Sequence, residues 1–122
     1  MSRVIKFRAL STNNKDWVYG FPLIFGWMDL IQIVDCVYGH RKNVKPNTFC
    51  EFTGLKDKNG VEIYERDFVR LGDIVHLVEW SKKYSAFRLI GSRVSTSLCN
   101  YHSEDYEVVG NKFTNPELLE GN

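Results

Sequence analysis

Residues Phe52 to Arg70 read FTGLKDKNGVEIYERDFVR, and a chain carrying this stretch has few ways to fold around it. Asp57-Lys58-Asn59-Gly60 is a turn sequence. Asn-Gly at the centre of a two-residue hairpin loop suits a type I′ turn, which needs φ > 0 at both central residues. Gly60 reaches that conformation without a Cβ clash, and Asn59 tolerates it better than most residues. Beyond the turn, Val61 and Ile63 alternate with Glu62 and Tyr64, the period-2 signal of a half-buried strand. Phe68 to Leu71 resumes the strand pattern after Glu65-Arg66-Asp67, three charges that read as a solvated turn rather than a polar site.

The rest of the chain reads as short strands and turns. Val4, Lys6 and Arg8 alternate with Ile5 and Phe7, and the polar cluster Ser11 to Lys15 turns the chain towards a return strand that begins at Trp17. The first unit is therefore a hairpin. Phe21 to Val37 is the most apolar stretch. Pro22 cannot donate to a sheet ladder and marks an edge or a loop. Ile31 and Ile33 around Gln32 predict a strand running into Val34 to Tyr38, with a buried helix over part of 26–35 as the alternative that periodicity leaves open. Gly39 to Asn47, GHRKNVKPN, is polar, basic and punctuated by Gly39 and Pro46. It reads as a loop and as a hinge between two packed halves, 1–47 and 48–122. Thr48 to Thr53 leads as a strand into the Asn-Gly hairpin.

Ile63 to Ile90 has the pattern of a β-meander, with Ser81 to Ser85 as the turn before the partner strand Ala86 to Ile90. Arg93 to Ser103 is Ser-rich and reads as a loop. Tyr106 to Val109 is a further strand, closed by Gly110-Asn111. Asn115 can cap a short helical turn that opens at Pro116 with Glu117 in its first turn, and Leu118 and Leu119 then pack inward. Five short strands of this kind can curl into a small barrel and hide their edges.

Composition agrees. The chain has 122 residues, enough to bury roughly 65% of its unfolded surface. Hydrophobic residues make up 43%, charged residues 25% and aromatic residues 14%. The aromatic share favours strands and leaves side chains for a binding face or an oligomer interface. The net charge is +1, which argues against strong electrostatic engagement of nucleic acid. Residues 1–60 carry nine Lys and Arg against five acids, about +4; residues 61–122 carry seven against ten, about −3. This mild asymmetry would suit a head-to-tail contact between subunits, but chance is the simpler account and the one preferred. Cys36, Cys50 and Cys99 have no paired spacing and read as reduced thiols in a cytosolic protein. No apolar run approaches the roughly 20 residues of a membrane span.

FTGLKDKNGVEIYERD resembles the core motif of the YopX family of phage and prophage proteins. VIKFRA at Val4 to Ala9 resembles that family's opening strand, and VVGNKFTNPELL at Val108 to Leu119 resembles its ending, in the expected order. Leu10 stands where Trp is expected after the FRA run. Arg66 stands where the family commonly has Gly in a Tyr-Glu-Gly-Asp turn, so a turn that needs φ > 0 there strains Arg66. The resemblance implies a mostly β fold of the β-rich α+β type, with a small bent SH3-like barrel, an N-terminal β-hairpin subdomain and a short C-terminal helical turn. It implies a phage or prophage origin and brings no catalytic residues.

Enzyme signatures are missing. There is no Gly-x-Ser-x-Gly elbow and no Gly-rich phosphate loop. Ser103 is only a sequence neighbour of His102. Glu62, Glu65, Asp67 and Asp73 offer carboxylates, but nothing apolar nearby would tune a pair for acid–base work. Cys36 with His40, Cys99 with His102, and Cys50 are the candidate metal ligands. Without a Cys-x-x-Cys they read as single residues, so neither metal nor cofactor is expected.

Two binding classes remain. One is protein binding, with the chain itself as a homo-oligomer and a host or phage protein as partners, in the bacterial cytoplasm and away from membranes. The other is weak single-stranded nucleic-acid binding across a barrel surface lined by Tyr64, Arg66, Trp80, Lys82, Lys83, Tyr84 and Arg88. Against it, Trp80 and Phe87 read as a cross-strand core pair with the lysines solvating a turn, the reading that the near-neutral net charge favours. Placing Gly60 in a tight turn predicts that Gly60→Val destabilises the protein by about 1–2 kcal/mol, the cost of a left-handed residue with a Cβ. Thermal melting checks this, and an unchanged melting temperature rules the placement out.

Overall fold

The computed structural model describes residues 5–13, 16–26, 30–35, 38–91, 95–98 and 102–119. Period-2 alternation makes most of them strands. In chain order these are β1 (Phe7–Leu10), β2 (Trp17–Phe25), β3 (Leu30–Val34), β4 (Arg41–Val44), β5 (Cys50–Lys56), β6 (Glu62–Tyr64), β7 (Asp67–Leu71), β8 (Ile74–Ser81), β9 (Ala86–Ile90), β10 (Ser95–Ser97) and β11 (Tyr106–Asn111). Short 3-10 turns lie at Pro46–Thr48, Ser103–Asp105 and Pro116–Leu119. The fold is mostly β, as the sequence predicts. Strand β3 occupies the ground of the alternative helix, of which 27–29 lie outside the described residues. Among the described residues no helix is long and apolar enough to cross a membrane.

Two compact units divide the chain, Met1–Phe52 and Thr53–Asn122. The division falls inside β5, beyond the loop that the sequence suggested as hinge. Strand β5 pairs with β1 through Cys50 and Glu51, and farther along with β6.

In the first unit the strand order is β4-β3-β2-β1-β5. The predicted hairpin is present as β1 and β2. Strand β2 serves two partners, pairing through Trp17–Gly20 with β1 and through Phe21–Phe25 with β3. Gly20 is the changeover. A Cβ there would stand 2.0 Å from the Val34 carbonyl oxygen, so the strands meet only because residue 20 has none. Pro22 falls past the end of the β1 register, where its missing N–H leaves no gap in that ladder.

The stretch read as the loop Gly39–Asn47 contains β4, antiparallel to β3. Arg41, Lys42 and Asn43 are exposed and Val44 is buried. One buried residue in four leaves no period-2 signal, and charged side chains are what an outer strand carries to discourage stray pairing. The far end of β4 turns back to β1. Lys45 N–H donates to the Leu10 carbonyl (2.8 Å), Thr12 N–H donates to the Asn43 carbonyl (3.3 Å), and Ser11 bridges Val44. This curl surrounds Ala9, Ile33 and Val44, with Val18, Ile31 and Phe49 packed against them. The buried Thr48 hydroxyl accepts from Leu10 N–H (2.9 Å) and donates to the Lys45 carbonyl (2.7 Å), pinning the 3-10 turn to β1.

In the second unit a five-stranded antiparallel sheet runs β10-β9-β8-β7-β11. It is open, with β10 and β11 at opposite edges, so the expected barrel is not closed. Its core face presents Val69, Val78, Leu89 and Tyr106, and the cluster is completed by Ile63 of β6 and by Leu98, with Leu55 against it. The β5–β6 hairpin thus covers the apolar face without closure of the sheet. Part of the Ser-rich segment read as loop forms β10 on the free edge of β9. The Arg88 Nη2 secures it by donating to the Ser95 carbonyl (3.0 Å). The Tyr106 hydroxyl donates to the Leu98 carbonyl.

The motif turns are built by buried polar side chains. Asp57 is 4% exposed. Its Oδ1 accepts the N–H groups of Asn59 (2.8 Å) and Val61 (2.9 Å), and its Oδ2 accepts that of Val108 on β11 (2.9 Å). The loop that results has Gly60 N–H donating to the Asp57 carbonyl (3.0 Å) and Asp57 N–H donating to that of Val61 (2.8 Å). It is a three-residue loop in which Gly60 alone is left-handed, at φ 79°, and not the two-residue type I′ turn expected with Asn59 left-handed as well. The carboxylate selects the wider loop because it takes the Asn59 and Val61 donors together.

Asp67 repeats the device, accepting Tyr64 N–H (2.8 Å) across the next turn. Between them Arg66 has φ 67°. Its N–H donates to the Val78 carbonyl (2.7 Å) and its carbonyl accepts Lys112 N–H (2.9 Å), so both sides of the peptide hold it left-handed. Asn111 Oδ1 accepts the N–H groups of Phe113 and Thr114. Asn115 Oδ1 accepts Asn111 N–H (3.2 Å), so this side chain ties the turn backwards; the following 3-10 turn closes through Leu118 N–H on the Asn115 carbonyl (3.1 Å). Leu118 is half-buried, and the Leu119 side chain lies outside the described residues.

Asp57→Ala strands three backbone donors and is expected to cost about 3 kcal/mol, read as a fall in the urea midpoint at constant slope. Arg66→Gly is expected to be more stable than Arg66→Ala by about 1 kcal/mol, because only the glycine relieves the left-handed backbone. Equal stabilities would show that residue 66 carries no strain.

Candidate functional site

The surface predicted from the second half of the sequence does not assemble. Tyr64 is 1% exposed and its hydroxyl donates to Glu62 Oε1 (3.3 Å), so it cannot stack on a base. Arg66 is half-buried, 6.0 Å over the Phe113 ring and 3.6 Å from the Glu65 carboxylate. Trp80 and Phe87 stand opposite one another on β8 and β9, ring edge to ring face at 5.1 Å, as the cross-strand pair. Arg88 pairs with Glu79, one residue before Trp80, and therefore lies on the other face of the sheet. Of the seven residues only Lys83, Tyr84 and Arg88 come together. The Arg88 guanidinium lies 4.3 Å and the Lys83 ammonium 5.4 Å from the Tyr84 ring centroid, with Lys82 exposed in the same turn.

The candidate acids are spread out. Asp67 is committed to its turn, Glu65 to Arg66 and Glu62 to Tyr64, while Asp73 is exposed in the β7–β8 turn. Of the candidate metal ligands, Cys36 and Cys99 lie outside the described residues. Cys50 is buried, its thiol donating to the Thr48 carbonyl (3.2 Å). Among the described residues no three His, Cys, Asp or Glu side chains are grouped to hold a metal ion. His102 serves a turn instead, with its N–H donating to Asp105 Oδ2 (2.9 Å).

Two features of the first unit were not foreseen. One is a row along β2. Tyr19, Phe21, Leu23 and Phe25 occupy alternate positions, hence one face of the strand, and none is buried. The other is an open cleft of about 330 Å³ lined by Trp17, Val18, Tyr19, Asp35, His40 and Lys42. Strand β2 supplies the aromatic wall, and the β3–β4 turn with β4 supplies the polar side. Buried Arg8 lies 4.2 Å from the Trp17 ring centroid and fixes the indole. Tyr38 stacks on His40 at 5.7 Å and 24°. The turn itself is tied by Asp35, whose carboxylate accepts Tyr38 N–H (3.1 Å) and whose own N–H donates to the His40 carbonyl (2.8 Å). The sequence signal for the cleft was the aromatic WVYGF beside the basic GHRKNVK, but only the β2–β3–β4 register makes them neighbours.

Comparison with known proteins places the chain. The description "YopX protein" matches residues 6–120, which include all three motif segments almost entirely. Among solved structures, that of protein EF1440 from Enterococcus faecalis is similar at 26% identity and a TM-score of 0.62, over 97% of this chain and 99% of that one. No curated protein gives a significant match. With the family match running through both units and the motif turns accounted for residue by residue, the chain belongs to the YopX protein family.

Proposed function

We propose that the chain is a non-enzymatic binding or assembly module that works through protein–protein contacts, with a second copy of itself as the first partner. The β2 row carries this reading. Strands of an antiparallel sheet normally alternate an apolar inner face with a polar outer one. Here the row Tyr19, Phe21, Leu23 and Phe25 is apolar throughout, with Tyr19 46% and Phe21 49% exposed, and Ile24 on the alternate row is exposed as well, at 65%. Contiguous apolar surface of this kind marks an interaction site, and aromatic residues are enriched at interface cores. A two-fold contact sets the row against its own copy with no charge mismatch.

Where the acids go supports a non-enzyme: Asp57 and Asp67 are spent on backbone donors, and Glu65 on an arginine. A host or phage protein is the second partner in this proposal, and the phage setting and bacterial cytoplasm rest on the family resemblance. The alternative is weak single-stranded nucleic-acid binding at the β8–β9 turn, favoured by the cationic surround of exposed Tyr84.

Light scattering at low and high salt, with absorbance at 260 and 280 nm on the untreated sample, separates the two. Assembly predicts a discrete salt-resistant multimer free of nucleic acid, converted to monomer by Phe21→Lys. A monomer whose nucleic acid strips off in salt, with a log–log slope of about −0.7 per phosphate contact, supports the alternative, and the substitutions then fall on Lys82, Lys83 and Arg88.

A further inference from the structure

We infer that the cleft of the first unit is a nucleotide site, with a base against the aromatic wall of Trp17 and Tyr19 and a phosphate at Lys42. Several observations converge. The walls are set beforehand, since Arg8 holds Trp17 and Tyr38 holds His40, and a site ordered before binding loses less entropy on binding. Aromatic rings in the lining suit a flat ligand, because every base offers a π-face to an aromatic side chain.

A cation stands at the cleft. Lys42 lines it, is exposed, and is in no ion pair among the described residues. An ammonium is a point donor to phosphate oxygens, and the first half of the chain carries the positive excess. Asp35 is the one acid of the lining, and its carboxylate holds the turn through the Tyr38 N–H. Finally, about 330 Å³ is at the lower end of small-molecule sites, the scale of a mononucleotide. An acidic peptide would satisfy Lys42 but leave the rings of Trp17 and Tyr19 without a flat partner.

The base and phosphate could belong to a free nucleotide or to one residue of a single strand. The inference stands apart from the assembly proposal. Tyr19 serves both, so the test uses His40 and Lys42, which lie outside the β2 row.

The experiment is a backbone and side-chain NMR titration of the whole protein with 5′-AMP, 5′-UMP, adenosine, inorganic phosphate and a short oligothymidylate. The expected result is saturable shifts confined to residues 17–19, 35 and 38–42 with the nucleotides, weakened about tenfold or more by Lys42→Ala and by His40→Ala. Both side chains are exposed, so unchanged spectra elsewhere show that the variants fold. Tighter, salt-sensitive binding of the oligonucleotide assigns the site to single strands, and equal affinity assigns it to free nucleotides. Shifts absent from these residues, or indifferent to both substitutions, overturn the inference. So does inorganic phosphate binding as tightly as a nucleotide, which would mean an anion site only. Repeating the titration on Phe21→Lys removes any masking by self-association.

Discussion

The carboxylate of Asp57 accepts three backbone N–H groups, two within its own turn and one on β11. A carboxylate buried without partners would be prohibitively costly, whereas one saturated by backbone donors is held by charge-assisted bonds that are individually strong. The turn, the β5–β6 hairpin and the outermost strand of the second sheet are thereby fixed to one another. The hairpin carries Ile63 and Leu55 onto the apolar face of that sheet, so the core of the unit leans on the three backbone donors that this one side chain gathers. Asp67 and Asn111 apply the same device at the next two reversals.

The letters that mark the family in this chain are therefore turn-building letters. KDKNG, YERD and GNKFTNP each place a short oxygen-bearing side chain under a chain reversal, where it takes the backbone donors that the sheet ladders leave over. Arg66 shows how firmly these turns are held. An arginine occupies a left-handed position because its N–H and its carbonyl are both claimed by neighbouring strands. Side chains spent in this way are not available for recognition. The β2 row and the cleft beside it come from the first unit and lie outside the core motif.

Much of the fold was legible in the residues. The alternation in β1, β8 and β9, the turn at Gly60, the Trp80–Phe87 pair and the Pro116 turn all rest on local sequence periods and backbone preferences. Tyr64 was misjudged because alternation assigned it outward opposite Ile63, whereas β6 is buried at both, and Val61 is the exposed residue. Strands β4 and β10 were missed because edge strands need carry no pattern: their hydrogen-bonding partners come from a neighbour that is already formed. The type of the Asp57 turn was missed because a side chain reaching the distant Val108 outweighed the local Asn-Gly preference.

What the sequence determined by itself was a mostly β chain, its hairpin positions and its family, since these follow from side-chain period, glycine and short polar residues acting over a few positions. Tertiary structure decided which strands became neighbours, that the second sheet stayed open, and which aromatic and basic residues meet. Those outcomes depend on pairings between segments far apart in the chain. In the first unit, β2 changes partner at Gly20 and β4 returns to β1, bringing Trp17 and Tyr19 beside His40 and Lys42. No local preference encodes that meeting, because it is the register of three strands that creates it.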